Sequence, residues 1–211
     1  MNRFVAWMQI PIVVVVLTLC PGAASAQMGG KLETGGNIAL GVAGELEGKI
    51  NGTKQAGQEL DVTAGLNLYA LYEVLKYLDV GGKFNFVFWR TDNMRKAAID
   101  RMAWIEFDAV VRGKYGFLND KLYIYLAMPI GLTISVPNKD FKNRAIAGVK
   151  TGAGVNLSLV TGINYQFWKG LGAFFDLGWV FHYTNNKGPN NLEIEGTANQ
   201  MSLNFGAFYR F

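Results

Sequence analysis

Residues 200–211 read Gln200-Met201-Ser202-Leu203-Asn204-Phe205-Gly206-Ala207-Phe208-Tyr209-Arg210-Phe211, and this stretch decides the fold. Met201, Leu203, Phe205, Ala207, Tyr209 and Phe211 share one parity. Gln200, Ser202, Asn204, Gly206 and Arg210 fill the other, with Phe208 as its one bulky apolar member. Successive side chains of a strand point to opposite sides, so a period of two held this long describes a β-strand with one apolar and one polar face. A helix would scatter the same polar groups around its circumference.

Seven segments upstream alternate in the same way. Segment 37–47 puts Ile38, Leu40, Val42 and Leu46 on its apolar side, and segment 59–72 puts Leu60, Val62, Leu66, Leu68 and Tyr72 there. In 78–89, Val80, Phe84, Phe86 and Phe88 oppose Asp79, Lys83 and Asn85; in 101–115, Ala103, Ile105, Phe107, Ala109 and Val111 oppose Trp104, Glu106, Asp108 and Arg112. Segment 121–136 alternates Leu126, Met128, Ile130, Leu132 and Ile134 with Tyr123, Tyr125, Thr133 and Ser135. Segment 148–167 presents Val149, Val155, Leu157, Leu159, Ile163 and Tyr165, and 172–183 sets Phe175, Leu177, Trp179 and Phe181 against Asp176 and His182. Each is long enough for a tilted strand to cross hydrocarbon, which takes about 9–11 residues. Two uncharged runs, 122–138 and 151–168, are too polar on one parity to be membrane helices: the first holds Pro129 and Gly131, the second Asn156, Ser158, Asn164 and Gln166.

The connections sort by length. Short turns are expected at 73–77, 116–120 and 168–171, and longer polar stretches at 90–100, 137–147 and 184–192. Outward aromatics gather at both ends: Tyr72, Tyr115, Tyr165, Phe167, Tyr209 and Phe211 at one, Phe86, Phe88, Phe181 and Tyr183 at the other. Alternation alone does not say which face is inside, since a lipocalin turns its apolar face inward around a ligand. About forty bulky side chains would not fit inside eight strands, whose interior is filled by ordinary side chains or one small ligand. The apolar face therefore looks out, onto lipid, and the Gly-, Ser-, Thr- and Asn-rich face lines a narrow lumen.

The N-terminus reads as a cleavable signal peptide over 1–26. Arg3 is the only charge before Lys31, an apolar run covers 12–17, and Ala24-Ser25-Ala26 supplies a small-residue cleavage site. Cys20 follows Leu19, where a lipoprotein signal needs a small residue. Pro11, Pro21 and Gly22 argue against an uncleaved helical anchor. The remainder, 27–211, suits one domain and has no cysteine, which excludes disulfides and thiolate metal sites. The net charge of +4 falls to +3 without Arg3, too mild to argue for nucleic acid.

The terminal Phe-Tyr-Arg-Phe, the leader and the eight alternating segments make 27–211 resemble the small outer-membrane β-barrel family of OmpX-like proteins and OmpA transmembrane domains. The resemblance implies an all-β, eight-stranded antiparallel up-and-down transmembrane barrel in the cell outer membrane of a Gram-negative bacterium, with both termini periplasmic. It implies that Phe205, Tyr209 and Phe211 are read by the barrel-assembly machinery. Family members include adhesins, lipopolysaccharide-binding stabilisers and lipid-modifying enzymes. The implied role here is structural or surface-interacting, with outer-membrane lipid, lipopolysaccharide or an unknown extracellular partner met through the loops.

Six charged residues fall on the lumen parity: Lys83, Glu106, Asp108, Arg112, Asp176 and Arg210. Charges buried in a barrel must pair, so these are expected to form a salt-bridge core that closes the lumen. Arg95, Lys96, Lys139, Lys142 and Arg144 give two loops a basic excess suited to lipopolysaccharide phosphates. The one histidine lies in Phe181-His182-Tyr183-Thr184-Asn185, which resembles the His-x-Ser-Asn motif of outer-membrane lipid A deacylases. That resemblance implies His182 as base, Thr184 as nucleophile and Asn185 as oxyanion donor, with Glu193 or Glu195 orienting the histidine. Threonine in place of serine, and the lumen parity of His182, count against this hydrolase. It stands as an alternative to the non-enzymatic barrel, beside a narrow passive conduit for ions or small solutes. Asn51-Gly52-Thr53 matches a glycosylation sequon, a coincidence in a bacterial loop. The chain shows no nucleotide, metal or haem motif, and no cofactor is expected.

Overall fold

The computed structural model describes residues 30–55, 57–59, 63–89, 102–137 and 148–211. In chain order the strands are β1 (Leu32–Ile50), β2 (Thr53–Lys54), β3 (Gln58–Glu59), β4 (Thr63–Leu75), β5 (Leu78–Trp89), β6 (Met102–Phe117), β7 (Leu122–Pro137), β8 (Gly152–Trp168), β9 (Leu171–Lys187) and β10 (Glu193–Arg210). From β4 to β10 each strand pairs antiparallel with its successor, β1 pairs with β4, and β10 returns to β1. The eight long strands thus form a closed barrel. β2 and β3 continue the ladder of β4 along β1, with Gly41 opposite Thr63, Glu45 opposite Glu59 and Lys49 opposite Lys54.

The β1–β10 seam runs from Glu33 opposite Arg210 to Ile50 opposite Ile194, and the Phe211 N–H extends it by donating to the Leu32 carbonyl at 2.8 Å. Among the described residues closure leaves no row of unpaired peptide groups, the condition for strands to stand in hydrocarbon. The apolar side chains look outward, as the alternation predicts: Leu66 is 61% exposed, Phe107 54% and Leu132 64%. Asn67, Asn85, Glu106, Thr133, Asn164 and Asn204 are buried on the opposite face. Such an exterior tolerates lipid and not water.

Three short turns, between β4 and β5, β6 and β7, and β8 and β9, share one end of the barrel with the start of β1 and the end of β10. We call this end the terminal rim and the other the distal rim. In the β8–β9 turn Gly170 has φ 91° and lies against the Arg210 carbonyl, where a side chain would collide.

The structure changes several sequence expectations toward the distal rim. The stretch 184–192 is not a long loop: β9 continues to Lys187, and the link to β10 is a tight connection with a 3₁₀ turn at Pro189–Asn191. β10 begins at Glu193, well before residue 200. β1 runs to Ile50 and turns back through Asn51 (φ 47°) and Gly52 (φ 77°), a tight two-residue hairpin turn. Above the hydrocarbon no apolar face is needed, so alternation fades while the hydrogen-bond ladder persists. Leu46 is also reassigned. A β-bulge between Gly41 and Ala43 inverts the parity of β1, so Leu46 packs inward on Trp104 and Ala198. Val149 is buried and precedes β8, which starts at Gly152. Residues 1–26, Leu60, Asp61 and Val62, and the connections 90–101 and 138–147 lie outside the described residues.

Leu132 faces outward between Phe107 and Val155. Leu132→Arg should cost about 2–4 kcal/mol of folding stability in phospholipid vesicles, read by denaturant titration of the refolded barrel. A cost near zero would mean that this face does not meet lipid.

Candidate functional site

The lumen is stacked in layers. At the terminal rim lies a floor of six charges: Glu33 from β1, Glu73 from β4, Asp79 from β5, Arg112 and Lys114 from β6, and Arg210 from β10. Arg112 donates from Nε (2.8 Å) and Nη2 (2.6 Å) to Asp79 Oδ2, and from Nη1 to Glu33 Oε1 at 2.7 Å. Lys114 Nζ reaches Asp79 Oδ1 and Glu73 Oε2, each at 2.6 Å. Arg210 pairs with Glu33 Oε2, and its guanidinium lies 4.4 Å from the centre of the Tyr123 ring. Tyr69 donates its O–H to Glu33 Oε1 at 3.2 Å. Three acids meet three bases, so each desolvated charge has a counter-charge and the set closes on itself.

Above the floor comes an apolar girdle: Leu71, Val110, Tyr125, Ala127 and Val160, with Tyr69 packed against it. Several lumen aromatics fit because a neighbouring strand offers glycine at the point of contact. A methyl on Gly172 would strike the Phe208 ring, and one on Gly206 would strike Phe174. Phe208, the apolar exception on the polar face of β10, is therefore a lumen plug. A cavity of about 50 Å³ remains, bordered by Tyr125, Pro129, Phe174, Lys83 and Asp176. Tyr125 donates to Asp176 Oδ2 at 2.8 Å, and the Asn204 amide donates to its other oxygen.

The distal layer is polar again. The Asn85 amide donates to Glu106 Oε2 (3.0 Å) and Asp108 Oδ2 (2.6 Å), tying the two neighbouring carboxylates together. His182 Nδ1 is 2.9 Å from Glu106 Oε1, an ion-pair distance without hydrogen-bond alignment. The Trp104 ring lies 4.2 Å from the imidazole, centre to centre. Lys83 borders both the girdle cavity and a second one of about 40 Å³ lined also by Asn85, Glu106 and His182. Trp104, Ala198, Leu46 and Val87 form an apolar lid over this layer. A water needs about 10–15 Å³ of such space, so each cavity takes a few waters and neither takes a sugar or an amino acid.

The residues singled out from sequence fall into separate groups. Arg112 and Arg210 belong to the floor; Glu106 and Asp108 meet through Asn85; Asp176 sits at the girdle and Lys83 between cavities. The partners that complete the floor, Glu33, Glu73, Asp79 and Lys114, were not in that set. Parity marks Asp79 and Lys114 as inward, whereas Glu33 precedes the expected start of the first strand at 37. His182 and Thr184 are both buried on the lumen face, and no hydrogen bond joins them among the described residues; Asn185 is on the other parity, half-buried. The carboxylate at His182 is Glu106, whereas Glu195 lies 4.0 Å from Lys49 and Glu193 is exposed. Arg95, Lys96, Lys139, Lys142 and Arg144 lie outside the described residues. Phe205, Tyr209 and Phe211 are exposed on the outer face, with Tyr209 and Phe211 in edge contact at 4.8 Å. Among the described residues no group of three or more His, Asp or Glu is placed to hold a metal ion.

No protein-family model matches the chain, and no curated protein matches it. Solved structures do. The outer membrane protein OprG of Pseudomonas aeruginosa superposes with a TM-score of 0.57 at 14% identity, over 86% of this chain and 95% of that one. Neisserial surface protein A follows at 0.49 and 12%, covering 85% and 97%. Ail of Yersinia pestis, solved with the heparin analogue sucrose octasulfate, gives 0.38 and 14%, covering 84% and 99%. The likeness to OprG establishes the fold, that of a small outer-membrane β-barrel, and the looser pair adds no argument.

Arg112→Met should destabilise the barrel by about 3–5 kcal/mol, because it strips a buried counter-charge from Glu33 and Asp79. Lys49→Met, at the exposed Lys49–Glu195 pair, should cost about 0–1 kcal/mol. Denaturant unfolding of the two variants in the same lipid checks the contrast.

Proposed function

We propose that the chain is an integral β-barrel of a Gram-negative outer membrane, with its terminal rim in the periplasm, a closed lumen, and a structural or surface-interaction role. The observation that carries this reading is the inverted distribution of polarity. The outer wall is apolar, and the lumen is barred by a charge-matched floor, an aromatic-filled girdle and a Trp104 lid. A barrel so filled is a rigid anchor and displays what its distal rim carries. The reading is non-enzymatic: His182 lies under Trp104 inside the wall, where an acyl chain of the surrounding bilayer does not reach.

Purified barrel added to planar bilayers should give no unitary conductance, because any ion would have to displace the paired charges of the floor. Sustained open levels would overturn the closed lumen and favour a conduit.

The basic residues Arg95, Lys96, Lys139, Lys142 and Arg144 suit the phosphates of lipopolysaccharide. Replacing all five with Gln should weaken lipopolysaccharide binding at least several-fold in titration calorimetry and flatten its salt dependence. Unchanged affinity would leave the loops to another partner.

A further inference from the structure

Every connection on the terminal rim carries a lysine. Lys31 leads into β1, Lys76 is in the β4–β5 turn, Lys121 closes the β6–β7 turn and Lys169 is in the β8–β9 turn. These connections alternate around a closed sheet, so the four ammonium groups are spread over its circumference instead of forming one patch. All four are exposed, and none is in an ion pair with a described residue. The acids of the same end are otherwise engaged. Glu33 and Asp79 are buried in the floor and Glu73 is held by Lys114, which leaves Asp120 as the exposed acid of the rim among the described residues. Among the exposed side chains of the described residues the rim is therefore a positive collar, four lysines against one aspartate.

The collar stands on an aromatic belt. Tyr77 stacks on Tyr115 with ring centres 6.2 Å apart, Tyr115 meets Phe117 edge-on, and Trp168 is 63% exposed. Lys76 Nζ lies 5.3 Å from the Tyr77 ring centre. Exposed aromatics settle at the boundary between acyl chains and headgroups, and lysines beside them reach the headgroup level. This places the ammonium groups at the depth of lipid phosphates.

We propose that the terminal rim is a docking surface for acidic glycerophospholipids, whose phosphodiester headgroups are gathered by Lys31, Lys76, Lys121 and Lys169. The inference rests on the membrane-barrel reading and adds to it a lipid preference at the end opposite the basic loops. Zwitterionic headgroups bring their own cation to the collar and gain little. Acidic headgroups bring net negative charge, and the attraction weakens with salt.

The test uses the full mature chain refolded into phosphatidylcholine vesicles containing traces of spin-labelled phosphatidylglycerol or spin-labelled phosphatidylcholine. Spin-label spectra give the relative affinity of each lipid for the barrel surface. The labelled phosphatidylglycerol should be favoured several-fold at low salt, with the preference falling as salt is raised. The combined variant Lys31→Gln, Lys76→Gln, Lys121→Gln and Lys169→Gln should lose the preference, whereas Lys49→Gln with Lys54→Gln, at the distal rim, should keep it. Equal affinity for the two lipids in the wild type, or a preference that survives the four substitutions, would overturn the proposal. The salt series on the wild type decides the matter should the variant refold poorly. Failure of the wild type to insert into plain phosphatidylcholine vesicles would instead sink the membrane-barrel reading, and this proposal with it.

Discussion

The seam between β1 and β10 is the constraint on which the rest of the molecule depends. In hydrocarbon each unpaired peptide group costs several kcal/mol, so an open sheet edge there is untenable. Pairing the first long strand with the last removes both edges at once. A sheet closed on itself also acquires an inside and an outside, and strand alternation then sends apolar residues to lipid and polar ones to the lumen. The exposed Leu132 and the buried Thr133, adjacent in the chain, are the same fact seen from two sides.

Closure creates a second problem, because a narrow lumen desolvates whatever polar groups point into it. The two polar layers solve it in different ways. Toward the terminal rim, opposite charges are matched and linked across β1, β4, β5, β6 and β10, so the floor fastens distant parts of the wall together. Toward the distal rim, the neighbouring carboxylates of Glu106 and Asp108 are held through a neutral amide, with the His182 imidazole against Glu106 and Lys83 lining the same cavity. Between the layers, aromatic rings seated against glycines fill the volume that polar side chains leave open.

Much of this was legible in the sequence because a period of two is a direct image of the strand. The stretch 200–211 alone identifies an outward row of Met201, Phe205 and Tyr209 and an inward row of Gln200, Asn204 and Arg210. The reading fails where the physical cause of alternation stops. Beyond the apolar band, β1, β9 and β10 carry polar residues on both faces and look like loops, although their backbone ladder is unbroken. Asn51-Gly52 was a usable hairpin signal there, since both positions require positive φ. The Gly41/Ala43 bulge has no signature in the residue pattern, yet it inverts the parity of β1 and sends Leu46 to the lumen side. Glu33 belonged to the floor but lay before the first expected strand, and no pattern within one strand names a partner on another.

The unbroken distal ladder of β1, β9 and β10 gives one flank of the barrel a stiff parapet. Here the short connections 51–52 and 188–192 sit on paired backbone. Whatever meets that flank encounters a surface whose shape is already set, so contact there forfeits little chain entropy. A rigid crest also holds its neighbourhood open, fixing how near a large approaching molecule can come to the bilayer on that side.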